Sequence, residues 1–186
     1  MMINQEDFQL KPISDQDLKT VLQWRNSKRI KTFMYTDHQI TWDEHCKWFE
    51  NVKKDSQKRV LLLYYKNQPL GLVNFTNIDK ENARCYWGFY IGEKTAPKGS
   101  GTMMGILALD KIFNEEGIKK VCAEVIHTNS GSFHYHKKLG FVTEGRFVDH
   151  LWKDNQYLDV IPMALFKEKW KKMRGRLLRD LEGGVS

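Results

Sequence analysis

The sequence contains few cysteines, few prolines and no long apolar run. Cys46, Cys85 and Cys122 are its three cysteines, and they are widely separated and form no Cys-x-x-Cys pair. An odd number of scattered thiols argues against a disulfide framework and against a zinc site, so we expect reduced thiols and no metal. No segment approaches the roughly 18 apolar residues that span a bilayer, and the N-terminus has no apolar stretch typical of signal peptides. These absences predict a cytoplasmic protein.

Linkers and repeats are also lacking. The 186 residues include 4 prolines and 13 glycines without a proline- or glycine-rich linker, and hydrophobic residues make up 41%. That composition is ordinary for a globular chain, and we expect one folded domain over residues 1–166. The formal net charge of +7 favours anionic ligands such as phosphates, although RNA or a membrane surface would also suit it.

Hydrophobic periodicity predicts a mixed α/β fold. Apolar runs indicate seven strands, and helical spacing behind capping residues such as Ser14 and Thr41 indicates four helices. In chain order they give β-α-α-β-β-β-α-β-α-β-β, which predicts one central, mostly antiparallel sheet of six to seven strands flanked by about four helices. The expected strands are residues 8–13, 59–65, 69–76, 85–92, 121–126, 141–147 and 156–165.

Residues 167–186 are predicted to form a basic amphipathic helix and tail. Phe166, Trp170, Met173 and Leu177 recur on one side of this helix, and lysines and arginines occupy much of the rest. Such a helix can bind a membrane or RNA. A terminal helix that packs on its own domain, or on a second subunit, explains the same pattern, and we favour that interpretation.

A glycine-rich segment follows the expected strand 85–92 and begins the next helix. It reads Lys98-Gly99-Ser100-Gly101-Thr102. Closely spaced glycines leave backbone N–H groups uncovered at a helix N-terminus, where the helix dipole also favours anions. The spacing matches neither a nucleoside-triphosphate loop nor a dinucleotide fingerprint. We predict a phosphate or pyrophosphate site here, although a simple turn would use the same residues.

A second motif lies downstream of a strand. Its residues Asn129, Ser132, His136, Gly140 and Phe141 form the pattern Asn-x-x-Ser-x-x-x-His-x-x-x-Gly-Phe. Together with the glycine-rich segment, this pattern resembles the Gcn5-related N-acetyltransferase (GNAT) superfamily over most of the chain. The resemblance implies that superfamily's fold and an enzyme that uses acetyl-coenzyme A (acetyl-CoA) as its co-substrate, without a metal.

The resemblance also assigns the residues of the cofactor site. The CoA pyrophosphate would be bound by the backbone N–H groups of four residues, with Lys98 beside them: Gly99, Ser100, Gly101 and Thr102. Those that would hold the pantetheine arm by backbone or amide groups are Phe89, Tyr90, Ile91 and Asn129.

Two residues are candidates for proton transfer. His136 stands where many superfamily members have the tyrosine that protonates the leaving thiolate, and an imidazole could protonate the sulfur or hydrogen-bond to it. A packing role for His136 is the alternative. Glu124, on the strand before Asn129, is the candidate base for the acceptor amine, unless it is an outward residue paired with a lysine. Direct transfer of the acetyl group requires no cysteine nucleophile.

The first 55 residues are expected to contribute to the acceptor side. Aromatic and cationic groups cluster there, and rings and guanidinium planes suit a nucleobase and its phosphates; core packing and surface ion pairs are the alternative. Trp24-Arg25-Asn26, together with residues 71–78, 87–92 and 98–102, resembles the PseH branch of the superfamily. Its bacterial members acetylate the 4-amino group of a UDP-linked sugar, UDP-4-amino-4,6-dideoxy-N-acetyl-β-L-altrosamine, in pseudaminic acid synthesis for flagellin glycosylation. The resemblance assigns the nucleotide to Arg25, Met34, Tyr35, His45 and Trp48, and the sugar to Asn74, Thr76, Asn77 and Trp87.

Other acceptors on the same fold remain alternatives. A ribosomal-protein-type N-terminus, an aminoglycoside or another small amine would require an acidic groove, whereas the predicted acceptor segment is aromatic and basic. We expect no nucleic acid partner and no membrane insertion, and either a monomer or a homodimer.

Overall fold

Eight strands and six α-helices lie within residues 4–183, which are the residues that this computed structural model describes. The strands are β1 (Phe8–Pro12), β2 (Arg59–Tyr65), β3 (Gln68–Asp79), β4 (Arg84–Ile91), β5 (Lys120–Ile126), β6 (Val142–Thr143), β7 (Phe147–Lys153) and β8 (Gln156–Phe166). The helices are α1 (Leu18–Asn26), α2 (Lys28–Lys31), α3 (Trp42–Lys54), α4 (Ser100–Glu115), α5 (Ser130–Leu139) and α6 (Lys167–Glu182). The predicted α/β class is confirmed, with one strand more than the upper end of the prediction.

The differences from the prediction have local causes. The expected strand 141–147 is the two-residue β6 followed by an irregular stretch, and a separate strand, β7, begins at Phe147. Most of β7 is exposed on both faces, so its sequence does not alternate between apolar and polar residues. Helix α2 has four residues, which is too short to show helical periodicity.

All strands form one sheet in the order β1-β2-β3-β4-β5-β8-β6, with β7 also paired to β8. Every pairing is antiparallel except that of β4 with β5, which run parallel. The parallel pair shares only three aligned positions, Arg84–Lys120, Cys85–Val121 and Tyr86–Cys122. Beyond these positions the two strands diverge and open the sheet at their carboxyl ends, where ligands bind in open α/β sheets.

Helices cover both faces of the sheet. Leu61 and Leu63 of β2 belong to the larger hydrophobic cluster, which includes the buried side of α4. Their neighbours Val60 and Leu62 face the opposite side and join a second cluster with residues of α1 and α2. Alternate residues of one central strand therefore fill two separate cores, as a sheet buried on both faces requires.

The C-terminal helix α6 packs on the domain through its apolar side. Trp170 and Leu177 are buried, and the Trp170 indole donates a hydrogen bond of 2.9 Å to Asp110 Oδ1 on α4. Arg174 also forms an ion pair with Asp110. Helix α6, which was predicted as a separate unit beginning at residue 167, therefore shares a hydrophobic core with the rest of the domain. Residues 184–186 of that predicted unit lie outside the described residues. Across residues 4–183, no helix has the length and apolar character needed to cross a membrane.

Candidate active site

A cavity of about 940 Å³ occupies the opening between β4 and β5. Residues 87–91 form one wall, and Glu124, Val125 and Ile126 form the other. The third side is the irregular segment between α2 and α3, residues 32–41, which we call the acceptor loop; it contributes Phe33, Met34, Tyr35, Thr36, His38 and Ile40. The volume is at the upper end of the range of small-molecule sites.

A second recess of about 390 Å³ lies at the N-terminus of α4. Arg29, Ile91 and Gly101 line both this recess and the larger cavity, so the two are adjacent parts of one cleft. Gly99 lies just before the helix with φ 97°, a left-handed conformation that residues with a side chain rarely adopt. The predicted pyrophosphate loop therefore turns sharply at Gly99 and presents the first turn of α4 to the recess.

The amides of the glycine-rich segment are not equivalent. Ser100 donates its N–H and its hydroxyl to the Pro97 carbonyl, at 3.0 and 2.7 Å. Its amide is therefore used inside the loop, contrary to the predicted role as a phosphate donor. The N–H groups of Gly99, Gly101 and Thr102 have no hydrogen-bond acceptor among residues 4–183. These three amides fit a diphosphate.

The cation beside this helix N-terminus is one that the sequence interpretation missed. Lys138 Nζ of α5 donates to the Thr102 hydroxyl at 3.1 Å, whereas Lys98 is exposed. Neither lysine is among the residues that line the two cavities. Within the described residues Lys138 forms no ion pair with a carboxylate. A lysine at the positive end of a helix dipole is unfavourable unless an anion lies nearby, so the position of Lys138 suits a phosphate group.

In the next part of the cleft, β4 has one edge without a neighbouring strand. From Trp87 onward β4 is paired only with β3, so one edge of Phe89, Tyr90 and Ile91 faces the cavity. An extended amide-containing arm can add to such an edge like a strand. Asn129 is also at the cavity, but its Oδ1 accepts the Ser132 N–H at 3.0 Å and caps α5. The NH₂ group of Asn129 has no partner among the described residues and remains for a ligand.

His136 lies inside the domain with both ring nitrogens engaged. Nδ1 lies 2.7 Å from the Ser132 carbonyl, and Nε2 lies 3.2 Å from the Trp87 indole N–H. A carbonyl only accepts and an indole only donates, so Nδ1 carries the proton and Nε2 does not. Burial lowers the pKa of His136 to about 4, so the ring is neutral at pH 7. This arrangement contradicts the predicted general-acid role, because no proton faces the cavity, and it favours the packing alternative.

Glu124 projects from β5 into the cavity and is joined to the acceptor loop. The Tyr35 hydroxyl donates to Glu124 Oε2 at 2.5 Å. Burial and this carboxylate raise the pKa of Tyr35 above its ordinary value, so it remains a donor. Glu124 Oε1 has no hydrogen-bond partner among the described residues. The predicted base is thus held by one oxygen and free at the other, and no lysine pairs with it.

Cysteine chemistry has no support at this site. Burial raises the pKa of Cys85 to about 12 and also raises that of Cys122, so both are thiols at neutral pH. Cys46 does not line the cavity. In residues 4–183, no cluster of three or more histidine, cysteine, aspartate or glutamate side chains has the arrangement of a metal site.

Seven of the nine predicted acceptor residues line the same cavity. They are Arg25, Met34, Tyr35, His45, Trp48, Asn74 and Trp87. Trp87 is almost fully buried and contributes mainly by its contact with His136. Thr76 and Asn77 do not line the cavity. Thr76 pairs with Tyr86, where β4 and β5 are still joined, and the strand register is interrupted after it, which corrects their predicted contact with the sugar.

Arg25 and His45 give the acceptor side of the cavity its polar character. Arg25 Nη2 donates to the Thr36 hydroxyl at 2.5 Å, and burial lowers its pKa. His45 stacks on Trp48 with ring centroids 5.0 Å apart, and burial lowers the pKa of His45. His45 Nε2 is buried and lacks a hydrogen-bond partner in the described part of the chain. A buried nitrogen without a partner is costly, so it suits a polar ligand group.

The open sheet edge, the free amides at α4 and the adjoining cavity are the features of an acyltransferase that binds CoA. The sequence model of the Acetyltransferase (GNAT) domain family matches residues 7–142, and the chain belongs to that family. The protein is therefore an N-acetyltransferase that uses acetyl-CoA as co-substrate.

Individual relatives differ in how much of the chain they match. Spermidine N(1)-acetyltransferase of Escherichia coli K12 is 23% identical over 169 residues, which are 91% of both proteins. Acetyltransferase PseH of Campylobacter jejuni is 33% identical over 78 residues, which are 42% of this chain and 48% of that relative. Vibrio cholerae spermidine N-acetyltransferase, solved with CoA and spermine, superposes with a TM-score of 0.83 at 21% identity, covering 89% and 99% of the two chains.

Proposed function

We propose that the enzyme acetylates the amino group of a nucleotide-linked amino sugar, of the kind UDP-4-amino-4,6-dideoxy-N-acetyl-β-L-altrosamine. The observation that carries this proposal is the guanidinium of Arg25 in the acceptor cavity. Neither Arg25 nor its neighbour Arg29 forms an ion pair with a carboxylate among residues 4–183. Two cations without such partners beside one cleft favour an anionic acceptor.

The charge of the cavity argues against a polycation as the preferred substrate. Its carboxylates are Glu44 and Glu124. Glu44 is already bonded to the Thr41 amide and hydroxyl and to His38, which leaves Glu124 as the free acidic group. A polyamine would bring several positive charges next to Arg25 and Arg29 and meet one free carboxylate. Like charges at close range disfavour that complex.

The aromatic part of the cavity supports a nucleotide. The stacked pair of His45 and Trp48 offers an apolar surface for a base, and His45 Nε2 offers a polar atom beside it. Asn74 projects over Gly88, where a Cβ atom would lie 2.8 Å from its Oδ1. The absence of a side chain at Gly88 thus gives the Asn74 amide room to bind sugar hydroxyl or amide groups. The partial match to PseH supports the choice of a nucleotide-linked amino sugar as the acceptor class.

The residues support direct transfer. The acceptor nitrogen attacks the thioester carbonyl carbon, the new C–N bond forms, the C–S bond breaks, and the thiolate takes its proton from solvent. Glu124 Oε1 accepts the proton that the amine loses, while Tyr35 holds Oε2. Holding the amine beside the thioester supplies much of the rate. If the acceptor is this sugar, the protein acts in the bacterial cytoplasm, on the route to glycosylated flagellin.

A polyamine is the second candidate acceptor. Its support is the similarity to spermidine N(1)-acetyltransferase of Escherichia coli, which extends over 91% of each chain. Because sequence identity is 23%, the acceptor side chains can differ while the fold stays the same.

A thiol-release assay separates the candidates. The enzyme is mixed with acetyl-CoA and one amine at a time: the UDP-linked 4-amino sugar, spermidine, a peptide with a free N-terminus, and an aminoglycoside. We expect the highest kcat/KM with the UDP-linked sugar. Arg25→Met should raise the KM for that sugar by about tenfold, the equivalent of one charged hydrogen bond, without changing the KM for acetyl-CoA. Turnover of spermidine or peptide alone would overturn the proposal.

A further inference from the structure

The acceptor loop has no regular secondary structure, yet side chains from outside the loop hold it at several points. Asn26 of α1 binds its C-terminal end, since its amide donates to the Ile40 carbonyl and accepts the Ile40 N–H, both at 2.9 Å. Glu124 binds its middle through Tyr35. The N-terminal end is held by Lys153, from the end of β7, more than a hundred residues away in sequence.

Lys153 is a buried cation at that N-terminal end. Its side chain reaches under the loop, where Nζ donates to the Met34 carbonyl at 2.5 Å and to the Lys31 carbonyl at 3.1 Å. The residue is 3% exposed. The Lys31 carbonyl is at the last residue of α2 and also accepts the Met34 N–H at 3.1 Å, and the Met34 carbonyl lies within the acceptor loop. No carboxylate among residues 4–183 forms an ion pair with Lys153.

The β7–β8 hairpin positions the Lys153 ammonium group at the acceptor loop. Asp154 and Asn155 form its turn with φ values of 50° and 59°, as in the tight turns that join antiparallel strands. Lys153 pairs with Gln156 across the turn. Burying an ammonium group is costly, and carbonyl contacts from an otherwise irregular loop are what offset that cost here.

Lys153 contacts the acceptor side of the cleft and not the CoA side. The Met34 carbonyl that it holds belongs to a residue whose side chain lines the cavity, and Phe33 and Tyr35 on either side also line it. In contrast, no residue of β7 or β8 lines the cavity or the recess at α4. Movement of this anchor would therefore change the acceptor side of the cleft and leave the CoA side in place.

We infer that Lys153 is a positioning residue that sets acceptor binding by holding the acceptor loop through the Lys31 and Met34 carbonyls. The inference rests on the N-acetyltransferase activity and not on which amine is the acceptor. Lys153 acts through the loop and touches neither substrate.

The test compares Lys153→Met with Lys167→Met. Lys167 Nζ donates to the Phe113 carbonyl at 2.5 Å, so the control removes a similar lysine–carbonyl bond near the end of α4, away from the cleft. The first readout is hydrogen exchange of peptides that cover residues 32–41, which needs no acceptor. We expect exchange there to be at least tenfold faster in Lys153→Met and unchanged in Lys167→Met.

The second readout is kinetic, with spermidine and the UDP-linked 4-amino sugar as probe acceptors. For whichever probe is turned over, Lys153→Met should raise the acceptor KM at least fivefold and keep the acetyl-CoA KM within twofold. Lys153→Gln, which retains donors, should fall between Lys153→Met and the parent enzyme, and it replaces Lys153→Met if that variant does not fold. Unchanged exchange in residues 32–41, or equal increases of both KM values, would overturn the inference.

Discussion

The Trp87 indole donates to His136 Nε2 at 3.2 Å, and their ring planes are nearly perpendicular at 84°. With Nδ1 donating to the Ser132 carbonyl, the imidazole is neutral and has no proton to give to a leaving group. We therefore propose a structural role for His136 in place of the predicted proton donation.

The first prediction is that His136 is dispensable for chemistry. His136→Gln keeps an acceptor for Trp87, and we expect its kcat to change by less than about tenfold, whereas the loss of a general acid costs about 10²- to 10⁴-fold. Steady-state rates at saturating acetyl-CoA and acceptor measure this. A loss of a hundredfold or more in a folded variant would restore His136 to the mechanism.

The second prediction concerns pH and stability. Burial holds the folded-state pKa of His136 at about 4, below its ordinary value of 6.5. Between about pH 4 and pH 6.5 the unfolded chain binds a proton at this site and the folded chain does not. The contribution of neutral His136 to the free energy of unfolding is therefore fully present above about pH 6.5. It decreases by about 1.4 kcal/mol per pH unit as the pH falls toward 4. Urea unfolding at several pH values should show this extra slope in the parent protein and not in His136→Gln.

The third prediction concerns Glu124 and Tyr35. Glu124→Gln keeps an oxygen for the Tyr35 hydroxyl but cannot accept the amine proton, so kcat should fall by about 10²-fold or more. Tyr35→Phe removes the 2.5 Å hydrogen bond and leaves the carboxylate, and its kcat should fall by less than about tenfold. Equal activity of Glu124→Gln and the parent enzyme would remove Glu124 from proton transfer.

The fourth prediction places Lys138 in CoA binding. Replacement by methionine removes the cation beside Thr102, and calorimetry should show a CoA affinity reduced by about fivefold, the equivalent of about 1 kcal/mol. The difference should shrink at high salt. Lys137→Met is the control, because Lys137 lies over the Phe133 ring on the same helix. Identical CoA affinity of both variants would contradict a phosphate contact at Lys138.

The fifth prediction concerns α6. Trp170→Ala removes a buried ring and the donor to Asp110, and should lower the free energy of unfolding by about 3–5 kcal/mol. Lys171→Ala, on the exposed side of the helix, should change it by no more than about 0.5 kcal/mol. Urea denaturation compares the two. Equal stability of the two variants would mean that α6 does not contribute to the core.

Much of the fold was accessible from local patterns. The capping box at Thr41 and Glu44 begins α3 as expected, and alternate faces of β2 fill the two cores. The β7 strand escaped prediction because exposure on both faces removes the pattern that burial imposes. Thr76 and Asn77 had the right residue types for a sugar site, but their place depends on where β4 and β5 separate, which no local pattern reveals.

The amino-acid order alone determined the α/β class and the turn at Gly99, because periodicity, glycine spacing and capping are local, and its motifs resembled an acetyl-transferring family. Tertiary structure decided the roles of individual side chains. The Trp87 indole binds His136 Nε2, so His136 presents no proton to the cavity. Lys138 contacts the Thr102 hydroxyl, and Lys153 binds the backbone of the acceptor loop. Each of these outcomes depends on the partner that a distant element supplies, and a hydrogen bond is specified only when both of its partners are in place.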